Sequence, residues 1–252
     1  IIQNEKNARK KTGRLSFLIE KVKMKLRLHK TDATEDFFMP RKYRLNQVLK
    51  KYPFVFLALH GGIGENGTLQ KILENKKIKF NGSNSDVSKL CMDKWETNET
   101  IEQAEIKGVS VASHALFEIN DIPGSVDNLL TEAHWSMLLK RLGTKTIIGK
   151  PRGDGCSAGV VRLFNEKDLI TYISLIRKKV PMAKAGTYTN QTNAMDMPEG
   201  KVQDIIFESF IETDKLKVRG NQITNKRKNG YVEMTVGVLE EHGKIRSLSP
   251  SI

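Results

Sequence analysis

Apolar and polar positions along the chain switch between two periods. From Lys21 to His29 the run KVKMKLRLH alternates, with Val22, Met24, Leu26 and Leu28 on one side, which is the period of a half-buried strand; the preceding FLIE could equally continue a helix. Residues 1–14 are polar and basic and are expected to fray or to form a surface helix, Thr31–Pro40 reads as a linker with an acidic centre, and Leu45–Lys51 as a short helix. Phe54–Leu59, FVFLAL, is continuously apolar, the pattern of a strand buried on both faces of a parallel sheet. It ends in HGGIGENG, and function in open α/β sheets gathers at such carboxyl ends. Beyond it the pattern predicts helix over Gly67–Asn75, strand over Lys77–Asn81, and helix over Asn84–Leu90 capped by Asn84 or Ser85. This alternation argues for a doubly wound sheet.

Further along, Met92–Glu105 reads as helix, Gly108–Ser113 as strand, and Ser125–Leu142 as an amphipathic helix with Val126, Leu129, Leu130, Ala133, Met137, Leu138 and Leu142 at helical spacing. Glu166–Lys179 is helical, and Pro181–Gly200 is a polar loop with little periodicity that is expected to be mobile. Asp204–Ile211 and Tyr231–Leu239 read as strands, separated by an excursion rich in lysine and asparagine.

Between these elements lies Thr146–Leu163, TIIGKPRGDGCSAGVVRL, which reads as strand, glycine-rich loop, strand. Glycines let backbone N–H groups turn toward an anion without a Cβ in the way, and Lys150 adds a point charge at the loop's mouth. The stretch therefore suits a phosphate cradle, but by itself it equally suits a hairpin with a glycine-rich turn. It is not a P-loop, since Gly-x-x-x-x-Gly-Lys-[Ser/Thr] is absent.

Charge changes the picture in one place. The net charge is +13, but residues 1–51 hold 15 Lys/Arg against 5 Asp/Glu, or +10, which leaves +3 for the other 201 residues. Phe17, Phe37, Phe38 and Tyr43 form no stacking module within that basic segment, so a solvated basic face is preferred there to a nucleic-acid site. No run of eighteen apolar residues occurs and the first residues lack a signal peptide's apolar core; Cys91 and Cys156 fit neither a disulfide framework nor a zinc site. A cytoplasmic protein without a membrane partner is the expectation.

Four separated stretches call for one explanation: LALHGGIGENGTLQ (57–70), CMDKW (91–95), GKPRGDGCSAGVV (149–161), and FESFI with EMTVGVL (207–211 and 233–239). In this order and spacing they resemble the D-alanine–D-alanine ligase family of the ATP-grasp superfamily, from about Phe54 to the end. The resemblance implies an α/β ATP-grasp fold. Residues 1–91 would form a partial N-terminal doubly wound sheet domain preceded by the basic segment, residues 92–211 the central α+β ATP-binding subdomain, and residues 212–252 the beginning of the C-terminal subdomain. It also implies an enzyme that activates an amino-acid carboxylate with ATP as an acylphosphate and lets a second amino acid's amine attack it. The product would be a dipeptide for peptidoglycan precursors, D-alanine being the suspected substrate and a homodimer the common family assembly.

Residue by residue, the resemblance makes Lys94 and Lys150 the two phosphate-binding lysines and the loop through Gly153, Gly155 and Ser157 a lid over the phosphates. Glu208 would accept from the adenine amine, the backbone at Phe210 and Ile211 would complete the adenine contacts with the Phe210 ring packing the base, and Glu233 would hold the ribose once Glu212–Val232 is treated as an insertion. His60 would lie near the incoming amino acid, with Glu65 orienting its loop. Cys156 and Ser157 occupy the lid positions where the family carries two serines, the first of which organises the substrate site; a thiol is a weaker hydrogen-bond partner, which puts substrate identity in question. Asn66 replaces the family's aspartate. The Gly-Gly-x-Ser-x-Glu turn is not found in residues 1–53, and the Arg-x-Asp and Asn-Glu-x-Asn segments that hold Mg²⁺ are not found before SLSPSI, so a fragment is expected, with no metal ligand in this chain. Two further readings stay open: an ATP-grasp ligase with a different acceptor, and a non-catalytic nucleotide-binding scaffold.

Overall fold

The computed structural model describes residues 43–119, 132–153, 155, 157–198, 200–220 and 222–251. The predicted elements within residues 1–42, the first turns of the helix predicted from Ser125, and Cys156 lie outside the described residues. The chain divides into two compact units, residues 1–52 and 53–252. In the first, α1 (Leu45–Lys51) is the predicted helix; the Arg44 amide donates to Gln47 Oε1 at 3.0 Å, closing its first turn.

The second unit opens with β1 (Phe54–Val55), a 3-10 turn (Gly62–Gly64), α2 (Thr68–Asn75) and β2 (Lys79–Phe80), and β1 and β2 pair in parallel across the α2 crossover. The apolar run is a much shorter strand than its composition predicts, and it is not buried on both faces: Phe54, Phe56 and Leu59 are 51%, 71% and 54% exposed. The ladder stops because the Asn81 side chain takes over the strand's role, accepting from the Leu57 amide at 2.5 Å and donating to the Leu57 carbonyl at 3.3 Å. Next comes α3 (Ser85–Met92), whose N-cap Asn84 accepts from the Val87 amide. The helix predicted over Met92–Glu105 is broken at Asp93, which ends α3 in an extended conformation and caps α4 (Lys94–Gln103) by accepting from the Trp95 and Glu96 amides.

Gly108–Ser113 is not a strand. A turn at Gly108 (φ +83°) precedes it, and strand pairing starts only at β3 (His114–Glu118), where residues 204–208 supply a partner. Then follow α5 (Glu132–Leu142), β4 (Ile147–Pro151), β5 (Val161–Leu163), α6 (Glu166–Arg177), the short β6 (Met182–Ala183) and β7 (Met195–Asp196), and β8 (Asp204–Ser209). Residues 181–198 are tied down where sequence predicted mobility over Pro181–Gly200: Ala183, Tyr188 and Met197 are buried, and the Thr189 amide and hydroxyl both donate to the buried Asp168. The lysine-rich excursion is a hairpin of β9 (Lys215–Arg219) and β10 (Gln222–Lys226). The predicted strand Tyr231–Leu239 begins only at β11 (Val238–Glu241), paired with β12 (Lys244–Ser247); before it, a single bridge joins Thr235 to Ser251.

At the centre is a four-stranded antiparallel sheet in the order β3–β8–β4–β5. Side chains alternate across a sheet, so the register sorts them into two faces. Ala115, Phe207, Gly149 and Val161 lie in one row, Phe117, Ile205, Ile147 and Leu163 share its face, and these join the buried cluster formed with Trp135, Leu138 and Leu142 of α5 and Leu169, Tyr172, Ile173 and Ile176 of α6. His114, Glu208, Ile148 and Arg162 form the corresponding row on the other face, together with Lys150. No helix among the described residues is long and apolar enough to cross a membrane.

Candidate functional site

The face away from α5 and α6 gathers charge. Lys150 Nζ lies 2.6 Å from Glu208 Oε1, and both side chains are mostly buried, at 17% and 13% exposed. Asn98 Nδ2 of α4 donates to the same oxygen at 3.0 Å. Both donors meet Oε1, so Oε2 is the lone-pair-bearing atom on offer to a third donor.

The lysine before that helix is held by the backbone. The Lys94 amide donates to the Arg152 carbonyl at 3.0 Å, which fastens the N-terminus of α4 to the strand-loop junction carrying Lys150. Arg152 also reaches back with its side chain: Nε lies 2.9 Å from both Asp93 oxygens, Nη2 lies 2.8 Å from Asp93 Oδ2 and 3.0 Å from Glu96 Oε1, and Nη1 lies 3.4 Å from Asp204 Oδ2. Partial burial would raise the Asp93 carboxyl, but hydrogen bonds and charge from Arg152, with the Glu96 and Trp95 amides, outweigh it and hold Asp93 below the usual carboxylate range. The Asp93 carboxylate in turn holds the Arg152 guanidinium above its ordinary value. Sequence reasoning missed this cluster, although its two anchors are the residues next to the assigned lysines: Asp93 in MDK, and Arg152 two places after Lys150.

The loop after β4 leaves the sheet in two different states. At Gly153 an added Cβ would meet nothing within 4 Å. At Gly159 (φ +69°) it would lie 2.8 Å from Pro198 Cδ, while the Gly159 amide donates to the Asp196 carbonyl at 2.9 Å and its carbonyl accepts from the Tyr172 hydroxyl at 2.9 Å. The loop is open at its start and pinned at its end. Ser157 sits between with φ +57°, a left-handed conformation that costs a non-glycine residue energy and that the loop retains.

His60 and Glu65 meet beside the same loop. His60 Nδ1 lies 3.1 Å from Glu65 Oε1. A Cβ on Gly155 would lie 3.5 Å from Glu65 Oε2 and from Gly61 Cα, ordinary contact distances that place this part of the loop beside the histidine loop. Segments about 90 residues apart in sequence are thus brought side by side, the loop itself continuing from the strand that carries Lys150.

The remaining assigned residues are placed differently. The Phe210 amide donates to the Thr146 carbonyl at 3.2 Å, and Arg162 Cζ lies 3.5 Å from the centre of the Phe210 ring, so one ring face is already covered by a guanidinium. Ile211 is half exposed. Glu233 lines a separate hollow with Asp214, Leu216, Thr235 and Ser251, at the base of the β9–β10 hairpin. Cys156 lies outside the described residues.

These features can be set beside known proteins. No protein-family model matches the chain. It is 32% identical over 135 residues to D-alanine–D-alanine ligase A of Bacillus cereus, covering 54% of this chain and 40% of that protein. It is 28% identical over 226 residues to the D-alanine–D-alanine ligase of Streptococcus gordonii, covering 85% of this chain and 60% of that one. The chain thus spans less than two thirds of the length of these relatives. In fold it is similar to the solved D-alanine–D-alanine ligase of Coxiella burnetii, with a TM-score of 0.51 and 19% identity over 83% of this chain and 45% of that one.

Proposed function

We propose that the chain is a member of the D-alanine–D-alanine ligase family, that its antiparallel sheet binds ATP on the face carrying Lys150 and Glu208, and that it serves an ATP-dependent carboxylate–amine ligase. The observation that carries the reading is the Lys150–Glu208–Asn98 cluster: a cation and an acceptor, both largely withdrawn from water, on the sheet face away from α5 and α6 and beside α4. An adenine amine would donate to Glu208 Oε2 while Lys150 turns toward the phosphates. Asn98 would keep the carboxylate oriented during that exchange.

Lys94 is the second phosphate lysine, at the first position of α4. Two cations on one polyphosphate stabilise the bound nucleotide and the charge that moves during phosphoryl transfer. The loop from Gly153 to Gly159 closes over the phosphates, swinging on its open start against its pinned end, and excludes water from an acylphosphate that water would hydrolyse. Ser157 is the loop side chain assigned to the phosphates and the acyl group, with Cys156 its neighbour in sequence. His60, oriented by Glu65, borders the incoming amino acid at the same loop. The acceptor is an amino acid's amine, D-alanine being the first candidate. Phe210 and Ile211 border the adenine, and Glu233, which lines the hollow at the base of the hairpin, holds the ribose.

Mg²⁺ would screen the phosphates and align them for transfer. Asp93 and Glu208, the carboxylates adjoining the two lysines, are bound to Arg152 and Lys150, so they do not make a free magnesium site. Nucleotide binding is the part of the reading that this sheet's residues carry directly.

Equilibrium binding of ATP to the chain, compared with Lys94→Ala and Lys150→Ala, tests the reading. Each substitution is expected to weaken binding at least tenfold. A folded chain that binds no ATP at millimolar concentration, or binds it equally well in all three forms, overturns it.

A further inference from the structure

A second cluster of ligating side chains lies at the edge of the sheet, where α4 meets the first residue of β3. Glu99 and Glu102 are three residues apart on α4, hence on one side of the helix, and His114 opens β3 beside them. One ligand atom from each of the three lies within 4.8 Å of the others. We infer that Glu99, Glu102 and His114 form a binding site for a divalent transition-metal ion of the Zn²⁺ type, which clamps α4 to β3.

The histidine carries the argument. Its side chain is only 5% exposed, so its two ring nitrogens must be satisfied by the protein or by an ion held there. Nδ1 lies 3.0 Å from the Ala112 carbonyl oxygen, which can only accept, so Nδ1 bears a proton. Nε2 lies 3.4 Å from Glu99 Oε1, and a carboxylate is again an acceptor. A neutral ring with its proton on Nδ1 thus points a lone pair at a negative oxygen. Either a second proton or a cation must lie on that side. A cation also explains Glu102, which brings a second carboxylate to the place without being needed for an imidazolium–Glu99 pair. A ligating imidazole that donates its other N–H to a backbone carbonyl is the usual arrangement around bound zinc.

The donor set, one imidazole nitrogen and two carboxylate oxygens, suits zinc better than magnesium or calcium, which take oxygen ligands. Metal–ligand bonds of about 2.0–2.2 Å place tetrahedral ligands about 3.3–3.6 Å apart, so the carboxylates need draw in by little more than about 1 Å. Glu102 is exposed, and the remaining coordination position on that side opens to water. The site's consequence is positional: Trp95 packs edge-on against the His114 ring at 4.8 Å, and His114 pairs across the sheet with Glu208. An ion here would fix the helix that begins at Lys94 against the strand that faces Glu208.

The test is a calorimetric titration of the chelator-treated chain with Zn²⁺, without nucleotide or magnesium, alongside His114→Ala and Glu102→Gln. One equivalent should bind the wild-type chain, with affinity falling at least about tenfold in Glu102→Gln and further in His114→Ala. Absence of stoichiometric Zn²⁺ binding overturns the site, and so does an unchanged affinity in Glu102→Gln, since an imidazolium–Glu99 pair makes no use of Glu102. Glu102 is exposed on a helix, so its variant folds and keeps the inference falsifiable even if His114→Ala does not fold.

Discussion

Replacing Arg152 by alanine removes the one cation that three carboxylates share. The bidentate contact with Asp93 is the strong one, with both partners about a quarter exposed; the Glu96 contact is half exposed, and the Asp204 contact is long at 3.4 Å. A charge-assisted pair of this burial, discounted for the water that reaches it, is worth about 2 kcal/mol, and the Glu96 contact adds up to about 0.5. The expected loss is therefore about 2–3 kcal/mol, or about 5–10 °C in Tm for a unit of this size. Urea denaturation of wild-type, Arg152→Ala, Asp93→Asn and the double variant measures it, with a coupling energy above about 1 kcal/mol expected. The pH dependence gives a second reading. Because Asp93 is held below its unfolded value, its contribution is present above about pH 4 and is lost as pH falls through the lower folded value. The gap between wild-type and Arg152→Ala should therefore narrow in acid. A variant within about 0.5 kcal/mol of wild-type at pH 7, or a gap that stays constant down to pH 3, would refute the assignment of Arg152 as the hub.

Two further outcomes follow from packing and from the hairpin. Gly149→Ala places a Cβ 2.9 Å from Tyr172 Cε1 and 3.3 Å from Phe207 Cε1 inside the core, and should cost about 1–3 kcal/mol in urea denaturation; a neutral effect would show that the Tyr172 ring moves freely. Asp214 accepts from the Lys228, Asn229 and Gly230 amides, the Lys228 bond foremost in holding its carboxyl down to about 2. Hydrogen exchange at those three amides should be protected above about pH 4, lose protection as pH falls through about 2, and lack protection altogether in Asp214→Ala.

The sequence was most legible where one residue type settles a local question. Leu45–Lys51 forms the helix its pattern predicts, and Asn84 caps the helix that follows it. The motifs also led to real neighbours: Lys150 meets Glu208, and His60 meets Glu65. It was least legible where a partner decides. FVFLAL has the composition of a central strand, but strand pairing needs a second backbone, and beyond Val55 an asparagine side chain fills that role. Gly108–Ser113 and Tyr231–Gly237 have strand-like residues but, apart from the bridge at Thr235, lack a paired strand among the described residues. Asp93 was legible only in part. Aspartate favours an N-cap over a helix interior and Glu96 follows three residues later, so the start of a helix was legible at Asp93; what the sequence could not show is that the carbonyl and guanidinium of Arg152, 59 residues away, hold that break in place.

The two faces of the central sheet make the site depend on the core. Lys150 reaches Glu208 only because Gly149, its neighbour, faces the helices, where the Tyr172 ring leaves no room for a side chain. A slip of one residue in β4 would send Lys150 into the apolar layer against α6 and turn Gly149 to the opposite face, since strand side chains alternate strictly. The same tyrosine spends its hydroxyl on the Gly159 carbonyl, at the far end of the loop that Lys150 introduces. One core residue therefore fixes both the direction in which the lysine points and the place where its loop returns. A lysine and a carboxylate held 2.6 Å apart in largely dry surroundings would otherwise be an expensive arrangement; here the alternative, a lysine buried without an anion, is costlier still. The register is thus selected from both faces at once.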